Sequence, residues 1–244
     1  MTDDDLARHI ADTAGGILLQ LRDSTLFDGK ALGMAGDRVA NAFIIEALAH
    51  HRPSDAILSE EEKDSTARCG VKRVWIVDPL DGTREYGEGR SDWAVHVAMA
   101  VEGHAQIGAV ALPGLSLTLT SASPPPLISR SGPPRMVVSR TRPAQEALSV
   151  AQALQAQLIP MGSAGAKAMA VARGEADIYL HSGGQYEWDS CAPVAVAQAA
   201  GLHVSRIDGT ACVYNRENPY MPDLLICRRE FAAPVLDALS GRTG

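Results

Sequence analysis

Asp78 and Asp81 stand three residues apart in Val74-Trp75-Ile76-Val77-Asp78-Pro79-Leu80-Asp81-Gly82-Thr83, a β-branched apolar run that stops at two carboxylates. Proline fixes the bend between them and Gly-Thr turns the chain after them, so both acids can point into one small volume. Two negative groups held that close repel each other unless a cation lies between them. Oxygen-only ligands at a strand end favour Mg²⁺ over a transition metal. A bare Asp-x-x-Asp also suits a polar turn that caps a strand, so the reading depends on further acids. Three segments supply them. Ile57-Leu58-Ser59-Glu60-Glu61-Glu62 is a short apolar strand ending in acids, Asp37 precedes an amphipathic stretch, and Asp189 follows Trp188 before an Ala-rich helical pattern. Taken singly, the glutamates could form a solvated turn, and Asp37 or Asp189 a helix N-cap. Jointly they describe a centre for more than one Mg²⁺ ion.

Ser59-Glu60-Glu61, Asp78-Pro79-Leu80-Asp81-Gly82-Thr83 and Trp188-Asp189-Ser190-Cys191-Ala192-Pro193 resemble, in order, spacing and context, three signatures of the inositol-monophosphatase superfamily. These are Li⁺-sensitive, Mg²⁺-dependent phosphomonoesterases. The resemblance implies a layered αβαβα sandwich and two to three Mg²⁺ ions per site. It implies one ion on Glu60, Asp78 and the Leu80 carbonyl, a second on Asp78, Asp81 and Asp189, and a weaker third near Glu60 through water. Asp37 and Thr83 match the pair that orients and deprotonates the attacking water, with Glu60 beside them. The Gly82 and Thr83 amides match donors to phosphate oxygens. A phosphomonoester dianion repels hydroxide, and its hydrolysis without a catalyst is among the slowest known. Divalent ions that hold a water while neutralising the leaving oxygen address both difficulties.

Three further segments bear on the substrate. Gly162-Ser163-Ala164-Gly165-Ala166-Lys167 resembles the glycine-serine-lysine segment of CysQ-type phosphatases, which act on 3′-phosphoadenosine 5′-phosphate. A lysine in the first turn of a helix opposes the helix dipole, which a second substrate phosphate would offset. A solvated surface lysine is the other reading of Lys167. Ser139 and Arg140, in Val137-Val138-Ser139-Arg140-Thr141-Arg142, resemble that subgroup's Ser-Arg-Ser-His, with Arg142 where histidine stands. Residues 180–183 carry no acid, whereas inositol phosphatases hold a ring hydroxyl with a glutamate there. The resemblance therefore implies release of the 3′-phosphate of 3′-phosphoadenosine 5′-phosphate, to AMP and phosphate, in sulfur assimilation, with Gly162, Ser163, Lys167 and Asp189 against the substrate. The resemblance also implies the 3′-phosphate of phosphoadenosine phosphosulfate as a second substrate of the same kind. Inositol-1-phosphate or fructose-1,6-bisphosphate hydrolysis is the alternative within the superfamily. A non-catalytic sensor of Mg²⁺ and phosphate ligands is the alternative of another class.

The elements that must position these groups are legible in part. Leu6, Ile10, Ala14 and Leu18 share a face, which predicts a helix over 3–22, and a second helix is expected from about 38 to 50. Strands are expected at 56–59, 73–77, 93–101, 105–112 and 115–121. The Pro-rich stretch from Ser123 to Pro134 is the expected junction between an N-terminal α+β lobe (1–130) that carries most metal ligands and a C-terminal α/β lobe (131–244) with the substrate contacts and Asp189. In the second lobe, strands at 136–139, 158–161, 177–181 and 224–227 alternate with helices near 143–156, 164–173 and 190–200 and a short terminal one.

At 244 residues, 46% hydrophobic and 21% charged, the chain reads as an ordinary globular protein. Its net charge of −7 argues against a nucleic-acid or anionic-membrane partner, which would demand a basic footprint. The acidic start Met1-Thr2-Asp3-Asp4-Asp5 lacks the pattern of a secretory signal, and no apolar run reaches the roughly 20 residues that span a bilayer. The four cysteines have no metal-ligand spacing and read as reduced thiols. A cytoplasmic enzyme is expected, and the resemblance adds a possible homodimer.

Overall fold

The computed structural model describes residues 1–128 and 131–241. The first two helices, α1 (Asp3–Asp23) and α2 (Gly29–His51), precede a five-stranded sheet of β1 (Ala56–Ser59), β2 (Arg73–Asp81), β3 (Ala94–Val101), β4 (His104–Leu112) and β5 (Leu117–Thr120), with the short α3 (Thr83–Gly87) after β2. A second five-stranded sheet follows. It contains β6 (Arg135–Ser139), β7 (Gln157–Met161), β8 (Ile178–Tyr186), β9 (His203–Ser205) and β10 (Tyr220–Cys227), in the order β7-β6-β8-β10-β9. Between its strands run α4 (Gln145–Ala153), α5 (Ala164–Ala172) and α6 (Glu187–Ala199), and α7 (Arg229–Leu239) ends the chain.

Side-chain alternation sorts these elements into five layers. In β2, Trp75 and Val77 face one way and pack with Leu6, Ile10 and Leu18 of α1 and Ile44 and Leu48 of α2. Val74 and Ile76 face the other way, into a core with Met169 and Val171 of α5, Val194 and Val196 of α6, and Tyr179 and Ile226 of the second sheet. The far face of that sheet, through Met136, Val138, Leu180 and Leu225, packs on Ala147 and Val150 of α4 and Val235 of α7. The αβαβα order follows from strands that are apolar on both faces, each of which must be covered.

The expected junction between two lobes falls at 130/131, and residues 129–130 lie outside those described. The first sheet ends at Thr120 and the second begins at Arg135, while α5 and α6 fill the space between them in one continuous core.

Four boundaries that bear on the site differ from the sequence expectation, each for a physical reason. The second helix starts at Gly29 rather than near 38, which places Asp37 in its interior. Gly33 and Gly36 lie inside this helix as sites of close approach. A Cβ on Gly33 would sit 2.6 Å from Thr83 Cγ2, and one on Gly36 2.9 Å from Tyr86 Cε1. The second strand does not stop at Val77. Its pairing with β3 continues to Asp81 through a register shift between Asp78 and Asp81, where Pro79 cannot donate to the ladder. Strand β8 runs on past 181 to Tyr186, through Gly183 (φ 80°) and Gly184 (φ 77°), and α6 starts at Glu187 rather than 190. Pro193 therefore lies in the second turn of α6, so the amide that would return to the Asp189 carbonyl is missing.

Candidate active site

The end of β2 and the first turn of α6 bring three acids together. Asp78, Asp81 and Asp189 each present an oxygen within 4.8 Å of those of the other two. Asp78 and Asp81 are buried, at 1% and 7% exposure. The bulge at Pro79-Leu80 directs both acids of β2 to the same place. Asp78 Oδ1 accepts from the Leu80 amide at 3.0 Å, which fixes its rotamer. Asp189 reaches back as a cap, accepting from the Tyr186 amide at 2.7 Å, so the fold of the helix start also aims the carboxylate.

The acids around this point are short of positive charge. Burial, followed by the charges of Glu60 and Asp81, holds Asp78 well above the usual carboxylate range. Asp189 is pushed up to about 7 by burial and then by Asp81. Glu60 stands on the rim, outside the trio, with its carboxyl in hydrogen-bonding reach of Asp78. It too is raised to about 7, first by lost solvation and then by Asp37 and Asp81. Asp37 is pushed up to about 7 by desolvation and by Glu61, against a hydrogen bond from Thr83. A cluster of carboxylates that ionises only reluctantly by itself, with oxygen donors alone, fits divalent cations of the hard class.

Asp81 differs from its neighbours. Burial works to raise it, but His96, Lys167 and Ser163 outweigh burial and hold it below the usual range. Its carboxylate caps α5, accepting from Ser163 Oγ at 2.5 Å, the Ala164 amide at 3.1 Å and the Gly165 amide at 2.6 Å. His96 Nε2 lies 3.3 Å from its Oδ2. Thr83 Oγ1 donates to the Leu80 carbonyl at 3.2 Å and also lies in reach of the Asp37 carboxylate, two acceptors that compete for its single proton.

A cavity of about 360 Å³ opens beside the trio, with Asp81 and Asp189 at one end and Ser139, Arg140, Arg142, Lys167 and His181 among its other lining residues. Gly82, Thr83, Gly162 and Ser163 also line it, so the substrate-contact residues expected from the sequence come together there. Gly82 adopts φ 91° and turns the chain from β2 into α3. Not all of the cations are free. The Arg140 guanidinium is held by Glu85 at 2.8 Å and Glu88 at 2.5 Å. Lys167 is buried instead of solvated, its Nζ donating to the Gly162 carbonyl at 3.2 Å and the Ser163 carbonyl at 2.5 Å. Bending back to these carbonyls, it stiffens the loop that caps α5. Arg142 is exposed on the cavity wall, its own amide bonded to Ser139 Oγ at 3.2 Å. Burial, and then the charge of Lys167, lowers the His181 imidazole below its ordinary value.

Sequence reasoning passed over three residues here. Glu85 clamps Arg140 and lies so close to Gly162 that a Cβ there would meet Glu85 Cγ at 2.2 Å. Gln185 is buried on the cavity wall and donates to the Tyr179 hydroxyl at 2.9 Å. His96, fully buried in β3, had a visible signal: a lone polar ring in the run Ala94-Val95-His96-Val97-Ala98. Glu85 and Gln185 had none, because their importance depends on which strand ends the fold brings together.

Comparison with known proteins adds to this geometry. The profile of the inositol monophosphatase family matches residues 8–239. The 3′-phosphoadenosine 5′-phosphate phosphatase of Mycobacterium bovis is 48% identical over 240 residues, covering 93% of this chain and 89% of that protein. The 3′(2′),5′-bisphosphate nucleotidase CysQ of Escherichia coli is 29% identical over 233 residues, covering 87% and 94%. Among solved structures, that of CysQ from Bacteroides thetaiotaomicron superposes with a TM-score of 0.82 at 24% identity, covering 93% of this chain and 97% of the other, which shows a shared fold.

Proposed function

The chain belongs to the inositol monophosphatase family, and on that premise we propose that it is a Mg²⁺-dependent phosphomonoesterase that converts 3′-phosphoadenosine 5′-phosphate to AMP and phosphate. The observation that carries this reading is one cavity beside the carboxylate trio, lined by Asp81 and Asp189 of that trio and by Lys167, Arg142 and Arg140. Such a cavity suits a substrate with two phosphates, one cleaved and one held. The names of the relatives favour an adenosine bisphosphate.

Asp78, Asp81 and Asp189 would hold one ion, and Glu60, Asp78 and the Leu80 carbonyl another. When bound, such ions offset phosphate charge and supply a nucleophilic water at neutral pH. The protein's own groups do the rest. Asp37, poised near neutrality, accepts a proton from the water, and Thr83, which donates to the Leu80 carbonyl beside Asp37, orients it. The Gly82 and Thr83 amides are our assignment for the phosphate oxygens, and Ser163 is oriented by Asp81 on the same wall. The second phosphate lies along Ser139, Arg140 and Arg142, with Lys167 adding positive potential from beneath the Gly162-Ser163 loop.

No helix among the described residues is long and apolar enough to cross a membrane. We place the enzyme in the cytoplasm, acting on a small phosphorylated substrate.

The test is phosphate release with Mg²⁺ from 3′-phosphoadenosine 5′-phosphate, inositol-1-phosphate and fructose-1,6-bisphosphate. A kcat/KM at least tenfold higher for the nucleotide, about 1.4 kcal/mol of transition-state binding, is expected. Equal or better turnover of either sugar phosphate would discard the nucleotide assignment. Ligand binding without phosphate release from any of the three would identify a sensor instead.

A further inference from the structure

His96 is buried in β3 where the two segments that carry the carboxylate trio, the end of β2 and the start of α6, meet the start of α5. Its Nδ1 lies 3.0 Å from the Trp188 carbonyl, in the first turn of α6, one residue before Asp189. Its Nε2 lies 3.3 Å from Asp81 Oδ2, a close electrostatic contact outside hydrogen-bond geometry. The ring also fills the space above the start of α5, where a Cβ on Gly165 would sit 2.0 Å from Nε2. Gly165 itself donates its amide to Asp81 at 2.6 Å. One rigid ring thus spans the end of β2, the start of α5 and the start of α6.

This placement has a mechanical consequence. Asp81 comes from the first sheet, while Asp189 comes from a helix that connects two strands of the second sheet. Neither acid fixes the other, because both are negative. A planar ring of fixed length with one edge on each segment sets their separation. Groups that hold ligands from behind in this way are worth about 10- to 100-fold in metal affinity or activity. We propose that His96 is a positioning residue of the metal centre: by bridging Asp81 and the Trp188 carbonyl, it sets the gap between Asp81 and Asp189 into which a divalent ion fits. The inference rests on the metal-centre reading above and adds a residue that never touches the substrate.

The experiment reads metal binding without substrate, as the rise in thermal midpoint of the purified full-length chain on titration with Mg²⁺, with kcat and KM measured alongside. His96→Ala should remain folded by circular dichroism, yet need at least about tenfold more Mg²⁺ for half of the midpoint rise, with kcat reduced and KM within about threefold. His96→Gln puts a donor where Nε2 was, and His96→Asn puts one where Nδ1 was. Each should recover part of the Mg²⁺ response. Gly165→Ala should show the same defect by displacing the ring from Asp81, and the double variant with His96→Ala should be no worse than His96→Ala alone. This variant keeps the test decisive where His96→Ala does not fold.

An unchanged Mg²⁺ titration in folded His96→Ala or in Gly165→Ala would overturn the inference and leave the metal centre standing. A loss of stability in both that is independent of Mg²⁺ would do the same, because it describes a packing role only. A wild-type midpoint that ignores Mg²⁺ would overturn this inference and the metal-centre reading together.

Discussion

Asp37, Glu60 and Asp189 each ionise near 7 in the folded chain, against about 4 for an unfolded carboxylate. Their raised values mean that the folded, metal-free protein binds more protons than the unfolded chain in that window. Stability from these groups is complete below about pH 4 and is lost as pH rises through about 7. His96, also raised, acts in the same direction above its unfolded value. Asp81 is held low and acts in the opposite sense, but only in acid below that window. Metal-free protein should therefore show a falling thermal midpoint between about pH 5 and about pH 7.5, and saturating Mg²⁺ should reverse the fall by binding only the folded state. Differential scanning fluorimetry across that range, with and without Mg²⁺, checks this. A midpoint that rises with pH in the chelated protein would contradict the charge imbalance described for the site. At this scale the acids were legible in the sequence because their types and spacing are unusual. The clamps on them were not: Glu85 on Arg140, and His96 on Asp81, are contacts between residues 55 and 15 positions apart.

At the scale of elements, α2 shows how local preference was overridden by packing. A glycine in a helix interior costs about 1 kcal/mol relative to alanine, and α2 accepts that cost twice among its buried residues, at Gly33 and Gly36. In return its backbone approaches the turn after β2, so that Asp37, one turn beyond Gly33, hydrogen-bonds Thr83. Gly33→Ala would improve helix propensity, yet its Cβ would meet Thr83 Cγ2 at 2.6 Å. We expect a net loss of about 1–3 kcal/mol in urea unfolding, as for other overpacked cores, together with a lower kcat as Asp37 and Thr83 separate. A more stable and fully active Gly33→Ala protein would show that the helix has room to spare. The same override explains why Gly-Lys-Ala-Leu-Gly-Met-Ala-Gly did not read as helix: three glycines in eight residues carry no helical signal until the surface they press against is known. The first helix and the 93–112 hairpin were legible because apolar periodicity alone specifies them, and both sit within a residue or two of the expected bounds. Strand β9, three residues long, has too little pattern to be seen.

For the whole molecule, the layer order was legible only through the family resemblance, since periodicity says which faces are apolar but not which sheet covers them. The structure answers this with a middle core to which both sheets and the two helices between them contribute. Neither sheet closes that core alone, so unfolding should be cooperative. Tryptophan fluorescence, dominated by Trp75 and Trp93 in the first core, and far-UV circular dichroism, which samples every helix, should give coincident denaturation midpoints. Two separated transitions would mean that the halves are independently stable.

The cap that Asp81 places on α5 bears on how such a chain could be recombined. The stretch between Thr120 and Arg135 lacks helix or strand among its described residues, and it is the natural seam for a crossover between two related genes. A chimera joined there would inherit Asp81 and His96 from one parent, and Ser163, Gly165 and Asp189 from the other. It would preserve both sheets, yet it would have to match an acid, a ring and a glycine chosen separately. Inheritance of the site is therefore a property of the undivided chain, and exchanging halves would tend to yield folded proteins without a working centre.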